Sequence, residues 1–346
     1  METVLSIIGA FIVLCVLVIV HELGHFGVGK LLGFKINEFA VGMGPKLLSK
    51  EKNGTTYSLR AFPIGGMCAF EGEDEEEKSP TSFNAQPVWK RMLVVLAGPF
   101  MNVLFALVVA FILLLAYGGE AIPDQPGTIV SVEENSPAAQ AGILPDDILI
   151  GIDDYRIENY EDTTEAILQG DGESATATVL RDGKELSLTV NNMYNEEKAS
   201  NYMGISISPQ IRPYTLLESA GGSFRYVGSM FEAMGDFFRM LFAGEVQRDD
   251  VAGPVGTVSI ISEAVKSGFE TVLIIAVLIS VNLAVVNLLP FPALDGGRFC
   301  FMIYEAIFRK PVPRQAEAIA HVAGFVVLIG LMVFLTVGDI SRLFGG

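Results

Sequence analysis

Cysteine is scarce in this sequence and gives no sign of a disulfide framework. The three cysteines, Cys15, Cys68 and Cys300, lie in or near long apolar stretches. None of them falls in the acidic segment Gly127–Ser200, which is the part of the chain that looks most like a soluble domain. We therefore expect no disulfide bonds to hold that domain together.

Positive charge is also scarce. The chain has 23 Lys and Arg residues against 40 Asp and Glu residues, and its formal net charge is −17. Gly127–Ser200 alone contains sixteen acidic and four basic residues. Because nucleic acid is itself an anion, this balance disfavours nucleic-acid binding. The acidity is more typical of a solvated domain surface than of a binding surface for one basic partner.

The N-terminus lacks the features of a cleavable signal peptide. It has an apolar core, but Glu2 stands where a basic region would be, and no small-residue cleavage site precedes the first charged motif. We interpret this segment as an uncleaved membrane anchor.

Apolar residues, in contrast, are abundant. The chain is 51% hydrophobic with a mean hydropathy of +0.46, which predicts several membrane spans and one modest folded domain. Four spans are predicted, at Val4–Val20, Met92–Tyr117, Thr271–Leu289 and Val322–Val337. An amphipathic helix lying in the membrane interface is predicted at Phe224–Phe242.

Two segments between the spans have the pattern of β-structure. In Phe34–Phe70, apolar and polar residues alternate around Asn53-Gly54, which favours a hairpin turn. The acidic run Glu71–Glu77 behind it is typical of solvated surface. Gly127–Val190 is predicted to be a compact α+β module with four strands, a helix and two turns. The strands are Thr128–Val132, Ile148–Ile152, Ala175–Leu180 and Leu186–Val190. The helix lies near Thr163–Gln169, and the turns are Asp171-Gly172 and Asp182-Gly183.

The predicted fold class is a polytopic α-helical membrane protein with four transmembrane helices, a membrane-associated β-hairpin region and one inserted extracytoplasmic α+β domain. The segments are 1–30 for the first span, 31–90 for the β-region and a cytosolic loop, 91–118 for the second span, 127–208 for the domain, 214–268 for interfacial helices and a connector, 269–297 for the third span, 298–318 for a cytosolic loop and 319–346 for the fourth span and tail.

The orientation follows from the basic residues near the spans. They flank the loops between spans one and two and between spans three and four: Lys30, Lys35, Lys90, Arg91, Arg298, Arg309, Lys310 and Arg314. Basic residues stay preferentially in the cytoplasm. Both termini and the acidic domain are therefore predicted to be extracytoplasmic.

The first span ends in a motif with metal-binding spacing. His21 and His25 are four residues apart, hence on one face of a helix, and Glu22 lies beside them. Ionisable groups at the end of a membrane span are costly unless they are paired or hold an ion, so they indicate function. The alternative is a chance match on an ordinary helix.

A hydrolytic zinc needs a third protein ligand and one open position for water. Asp295 follows Pro290 and Pro292, which end the third span, and the sequence contains one further histidine, His321, at the start of the last span. We favour Asp295 over His321 as the third ligand. Glu22 would then take a proton from the attacking water and pass it to the leaving amine.

A helical substrate hides its peptide bonds in backbone hydrogen bonds and must be extended before attack. Phe34–Phe70 could supply an edge strand for this purpose. Asn102 in the second span and Asn287 in the third could bind the freed substrate backbone.

Taken together, these motifs resemble those of the site-2 protease family of intramembrane zinc metalloproteases, specifically its bacterial RseP/RasP type. The resemblance rests on HELGHF at His21–Phe26, Gly98-Pro99 with Asn102, Gly253-Pro254-Val255-Gly256, and NLLPFPALDGG at Asn287–Gly297. It implies Zn²⁺ bound by His21, His25 and Asp295, and Glu22 as catalytic base. It further implies cleavage of single-span membrane proteins in regulated intramembrane proteolysis, in the bacterial plasma membrane.

The resemblance also implies that Gly127–Ser208 is one extracytoplasmic PDZ domain, which could contact peptides or filter substrates by size. Tyr202-Met-Gly-Ile205 resembles a PDZ carboxylate-binding strand. The chain departs from the family at Arg298, where a histidine often follows the LDGG motif. The main alternative is a catalytically silent membrane-anchored PDZ adaptor. A soluble-type zincin on a membrane anchor is disfavoured because no glycine-spaced third histidine follows His25.

Overall fold

The computed structural model describes residues 2–73, 79–168, 173–191, 193–195, 200–247 and 250–344. They form two compact units. The membrane unit consists of Met1–Ala116 and Leu216–Gly346, and the inserted unit consists of Tyr117–Thr215. The helices are α1 (Glu2–Leu31), α2 (Val88–Tyr117), α3 (Pro137–Ala141), α4 (Asp162–Leu168), α5 (Leu216–Ala243), α6 (Pro254–Ser267), α7 (Phe269–Leu288), α8 (Asp295–Phe308) and α9 (Arg314–Phe344). The strands are β1 (Ile36–Lys52), β2 (Thr55–Phe70), β3 (Gly119–Ala121), β4 (Thr128–Val132), β5 (Ile148–Ile152), β6 (Tyr155–Arg156), β7 (Ser174–Arg181), β8 (Lys184–Asn191), β9 (Tyr194–Asn195), β10 (Ser200–Asn201), β11 (Ile205–Ser208) and β12 (Ile211–Pro213).

Four helices of the membrane unit are long and apolar enough to cross a membrane. They comprise Thr3–Leu31, Val88–Tyr117, Phe269–Leu288 and Arg314–Arg342, which confirms the predicted number of candidate spans. α2, α5 and α7 pack through a cluster rich in small and β-branched side chains, including Ala106, Ala110, Val277 and Val281. Such residues let helix backbones approach closely where no water drives the packing.

The predicted cytosolic loop at 298–318 is helical in its first half, and its side of the membrane stays a prediction. Residues 295–308 form α8, which buries Gly296, Gly297 and Met302. The third span ends at Leu288, and Pro290 and Pro292 prevent the helix from continuing. The prolines therefore produce a break followed by a new helix, and Asp295 is the first residue of that helix.

The predicted β-hairpin is confirmed, with its turn at Asn53-Gly54. Both turn residues have positive φ, 52° and 72°, as a two-residue hairpin turn of this type requires. The two strands are long and fold back on themselves, so that Val41 pairs with both Gly66 and Leu59. In effect, residues 36–41 lie between residues 66–70 on one side and residues 56–59 on the other. Residues 74–78 of the predicted acidic run lie outside the described residues.

Glu38 holds the folded-back hairpin together. Its carboxylate accepts bonds from Lys46 at 2.9 Å, Ser58 at 2.6 Å and Arg60 at 2.9 Å. Burial opposes ionisation of Glu38, but the hydrogen bonds from these three residues outweigh it and lower the pKa from 4.5 to about 2.

The inserted unit is built on an antiparallel sheet with strand order β11-β4-β5-β7-β8, and β6 pairs with β5. All four predicted strands and the predicted helix are present, and Asp182-Gly183 forms the β7–β8 turn. The predicted turn at Asp171-Gly172 lies outside the described residues. The core of the inserted unit contains Ile129, Leu149, Val179, Val190, Met193 and Met203.

One ion pair fixes the inserted unit from within. Arg181 donates to both oxygens of the buried Asp147, at 2.7 and 2.6 Å. The bonds from Arg181 hold the pKa of the Asp147 carboxyl below its usual range. A bidentate pair of this kind is among the stronger polar interactions available to a small domain.

The pKa of Glu38 predicts how the hairpin responds to acid. Because the pKa is lower in the folded protein, the stabilisation is complete above about pH 4.5 and is lost as the pH falls from 4.5 to about 2. Glu38→Gln should destabilise the hairpin at neutral pH by about 1–3 kcal/mol. Hydrogen-exchange protection of residues 36–60 in the full-length protein measures both effects. Equal protection in wild type and variant at pH 7 would contradict this role for Glu38.

Candidate metal centre

Two helices bring the sequence-predicted ligands to one point. His21 and His25 occupy successive turns of α1, and Asp295 begins α8. Asp295 Oδ2 lies 3.1 Å from His21 Nε2 and 3.4 Å from His25 Nε2, and the two Nε2 atoms are 3.2 Å apart. Within the described part of the chain, these three residues form the group that could hold a metal ion.

The dimensions of this triangle fit a tetrahedral ion. Zinc binds imidazole nitrogen and carboxylate oxygen at about 2.0–2.2 Å, so two ligand atoms of a tetrahedral site lie roughly 3.3–3.5 Å apart. The observed separations of 3.1 to 3.4 Å are close to that value. The donor set, two imidazoles and one carboxylate, is also that of hydrolytic zinc sites.

Contacts from α2 orient both imidazoles. His25 Nδ1 donates to the carbonyl oxygen of Val94 at 2.8 Å, which leaves Nε2 free to act as a ligand. Asn102 is fully buried, and its side-chain amide lies 3.2 Å from His21 Nδ1. The backbone carbonyl of Asn102 accepts a bond from Ser280 of α7 at 2.8 Å, so Asn102 connects the first imidazole to two neighbouring helices.

α1 and α2 can approach this closely because both carry glycine at the contact. A Cβ on Gly98 would lie 2.3 Å from His25 Nε2, and a Cβ on Gly24 would lie 2.1 Å from the carbonyl oxygen of Ala97. Pro99 follows Gly98 inside α2 and cannot donate a hydrogen bond to the preceding turn.

Glu22 lies against the hairpin. A Cβ on Gly66 of β2 would be 2.8 Å from Glu22 Cγ. The Glu22 carboxylate faces the backbone N–H of Cys68 on the same strand. The structure thus brings a carboxylate next to both a candidate metal site and a β-strand.

Comparison with known proteins identifies the family. The sequence profile of peptidase family M50 matches residues 9–331 of the 346. This chain belongs to peptidase family M50.

The relatives of this M50 peptidase match along almost their whole length. A Clostridium perfringens protein, provisionally named a zinc metalloprotease, is 37% identical over 335 residues, which cover 96% of this chain and 98% of the relative. Zinc metalloprotease RasP of Shouchella clausii is 29% identical over 428 aligned positions, which cover 99% of this chain and all of the relative. The PDZ domain of an SdrC-like protein from Listeria innocua matches 26% of this chain and all of that domain, at 20% identity and a TM-score of 0.22.

The family and the four apolar helices together describe a multi-pass membrane peptidase. The prediction of the site-2 protease family is therefore confirmed, as is the prediction of a metalloprotease-type hydrolase.

In this M50 peptidase, His321 has a use that the sequence did not indicate. The loop at residues 289–294 contains Ala293 at a φ of 79°, a strained conformation for a residue with a side chain. The N–H of Ala293 donates to His321 Nδ1 at 2.9 Å. The third histidine therefore holds the loop that precedes Asp295 and is not part of the ligand triangle.

Asn287 is placed differently from Asn102. It lies in the last turn of α7, its side chain is partly exposed, and it makes no hydrogen bond within the described part of the chain. The predicted contact of Asn102 and Asn287 with substrate stays a prediction.

The close contact at Gly98 gives a test of the site. Gly98→Ala should displace the His25 imidazole and weaken metal binding by about 10- to 100-fold, the range seen when a ligand loses its orientation. Titration of the metal-depleted full-length protein with Zn²⁺ measures this. Gly330→Ala is the matched control, because this glycine also lies in an apolar helix and faces open space. Equal affinity in the Gly98 and Gly330 variants would contradict the geometry.

Proposed function

We propose that this M50 peptidase is a zinc-dependent intramembrane endopeptidase. It hydrolyses peptide bonds in or near the transmembrane segment of single-span membrane proteins, of the kind represented by anti-sigma factors or signal-peptide remnants, in regulated intramembrane proteolysis. The observation that carries the proposal is the meeting of His21, His25 and Asp295, with Glu22 adjacent, among four helices apolar enough to span a membrane.

His21 Nε2, His25 Nε2 and a carboxylate oxygen of Asp295 are the proposed zinc ligands. When bound, zinc supplies a Lewis acid and lowers the pKa of water in the open fourth position to about 7. Other residues of the chain orient the two imidazoles. Val94 keeps His25 in the tautomer that offers Nε2, and the Asn102 amide fixes the ring of His21.

Glu22 is the proposed general base. It accepts a proton from the attacking water and delivers that proton to the nitrogen of the leaving amine as the peptide bond breaks. Its position between the ligand triangle and β2 suits this role, because a peptide lying along β2 would pass the carboxylate.

The hairpin is proposed to present the substrate. Residues 66–70 include Gly66, which lies next to Glu22, and within the described part of the chain the strand they pair with is residues 36–41. A substrate strand added on the other side would have its backbone extended and its carbonyl carbons exposed to attack. Asn287, whose side chain is partly exposed and has no hydrogen-bond partner among the described residues, is available to bind the unwound substrate backbone.

The inserted unit is proposed to be an extracytoplasmic PDZ domain that restricts substrate access. The proposed ligands and base lie in the membrane unit, so the inserted unit contributes none of them. Both chain termini are proposed to lie on the same side of the membrane as this domain, because the basic residues near the spans flank the other loops.

The alternative of a silent PDZ adaptor is not favoured. A binding protein has no need to preserve two imidazoles and a carboxylate within 3.4 Å of one another in an apolar surrounding, where such groups are costly unless an ion satisfies them.

Glu22→Gln is the experiment that tests the proposed function. The amide keeps the shape of the side chain but cannot accept the proton, so turnover should fall by about 10²- to 10⁴-fold. Zinc content, measured on the same purified protein, should remain at one per chain because residue 22 is not a ligand. Wild-type cleavage of a single-span substrate by this variant would contradict the assignment, as would an enzyme that binds no zinc.

A further inference from the structure

The edge of the hairpin sheet beside Glu22 is already occupied by an acidic side chain. Residues 66–70 of β2 pair with residues 36–41 of β1 on one side, and within the described part of the chain no strand pairs on their other side. We call that other side the docking edge, since it is where the proposed function adds a substrate strand. A strand edge without a paired neighbouring strand is a template for any extended chain, and proteins commonly protect it.

One hydrogen bond shows which way the backbone N–H groups at the end of β2 point. The N–H of Glu71 donates to the carbonyl of Lys35, on the β1 side, at 2.9 Å. Successive N–H groups of a strand point to alternate sides, so the N–H groups of Phe70 and Cys68 point toward the docking edge. These are two of the donors that an added strand would use.

One of these donors already meets a carboxylate. The N–H of Phe70 donates to Glu73 Oε2 at 3.3 Å. The Glu22 side chain lies beside the same strand, next to Gly66. A substrate carbonyl therefore has to replace Glu73 at Phe70 before the strand can pair fully.

Glu73 is held in place by a residue of α8. Its second oxygen, Oε1, is bound by the guanidinium of Arg298, and the Glu73 side chain is only 15% exposed. Arg298 lies one turn after Asp295 on α8. The position that departs from the family pattern thus connects the docking edge to the helix that begins with a proposed zinc ligand.

We propose that Glu73, positioned by Arg298, caps the docking edge in the substrate-free enzyme and is displaced when a substrate strand pairs with the Phe70 N–H. The inference rests on the proposed function. It makes Glu73 a specificity-determining residue, because only a segment that offers a well-placed backbone carbonyl can replace the carboxylate. Polypeptide that does not unwind leaves the cap closed.

Glu73→Ala tests the cap in the full-length, zinc-loaded enzyme with a single-span membrane protein as substrate. Loss of one partly exposed hydrogen bond that competes with substrate should lower KM by about 3- to 10-fold. The value of kcat and the zinc content should not change. Glu51→Ala is the matched control, since Glu51 is an exposed acid on the outer strand of the same hairpin, opposite Thr56. An unchanged or higher KM in the Glu73 variant would overturn the proposal.

Hydrogen exchange of residues 66–70 separates this inference from the proposed function. Without substrate, Glu73→Ala should exchange faster than wild type in this segment, and Glu51→Ala should not. If the wild-type enzyme cleaves nothing, the proposed function fails while the exchange measurement still decides the cap. Identical exchange in all three proteins would overturn it.

Discussion

The structure depends on bringing two imidazoles and a carboxylate together among apolar helices. Such groups are costly away from water unless they are paired or hold an ion, so every neighbouring element has to support one arrangement of them. The support is visible in the backbone. Gly24 and Gly98 let α1 and α2 approach to a distance that no side chain would allow, and the carbonyl of Val94 then reaches His25. The third side chain, Asp295, comes from α8, so the third span has to end before it.

The break in the third span is held from several sides. Pro290 and Pro292 end the helix, and His321 of α9 binds the strained backbone at Ala293. Two ion pairs then fix α8. Arg298 pairs with Glu73, which follows the hairpin in the sequence, and Glu305 pairs with Arg91 at the start of α2 at 2.6 Å. The helix that carries the carboxylate is therefore tied to both the sheet and the second span. We regard this as the means by which substrate presentation and metal binding share one framework.

Much of this could be predicted from the sequence because the signals are local. The spacing of His21 and His25 fixes a shared helix face, long apolar runs identify four candidate spans, and Asn53-Gly54 identifies the hairpin turn. The two prolines before Asp295 correctly indicated a break. The sequence already favoured Asp295 over His321 as the partner of the two histidines, and the structure places Asp295 beside them and His321 against Ala293.

The features that sequence reasoning missed are those made by distant partners. Residues 298–308 do carry a helical pattern, because the charged residues Arg298 and Glu305 are seven positions apart and share one helix face, but their partners Glu73 and Arg91 are far away in sequence. The folding back of the hairpin was likewise missed, since it depends on Glu38 binding Lys46, Ser58 and Arg60 together. The contact of Asn102 with His21 was also missed, while its predicted contact with substrate stays a prediction. A single sequence records that such residues need partners and does not say which.

The central claim is that His21, His25 and Asp295 together hold one catalytic zinc. X-ray absorption at the zinc edge of the purified full-length protein tests it most directly, because this method reports the ligand atoms without relying on activity. The account predicts one zinc per chain with a first shell of nitrogen and oxygen alone, at about 2.0–2.2 Å, and outer-shell scattering from two imidazoles. A sulfur ligand at about 2.3 Å, a shell with three or more imidazoles, or the absence of bound zinc would contradict it.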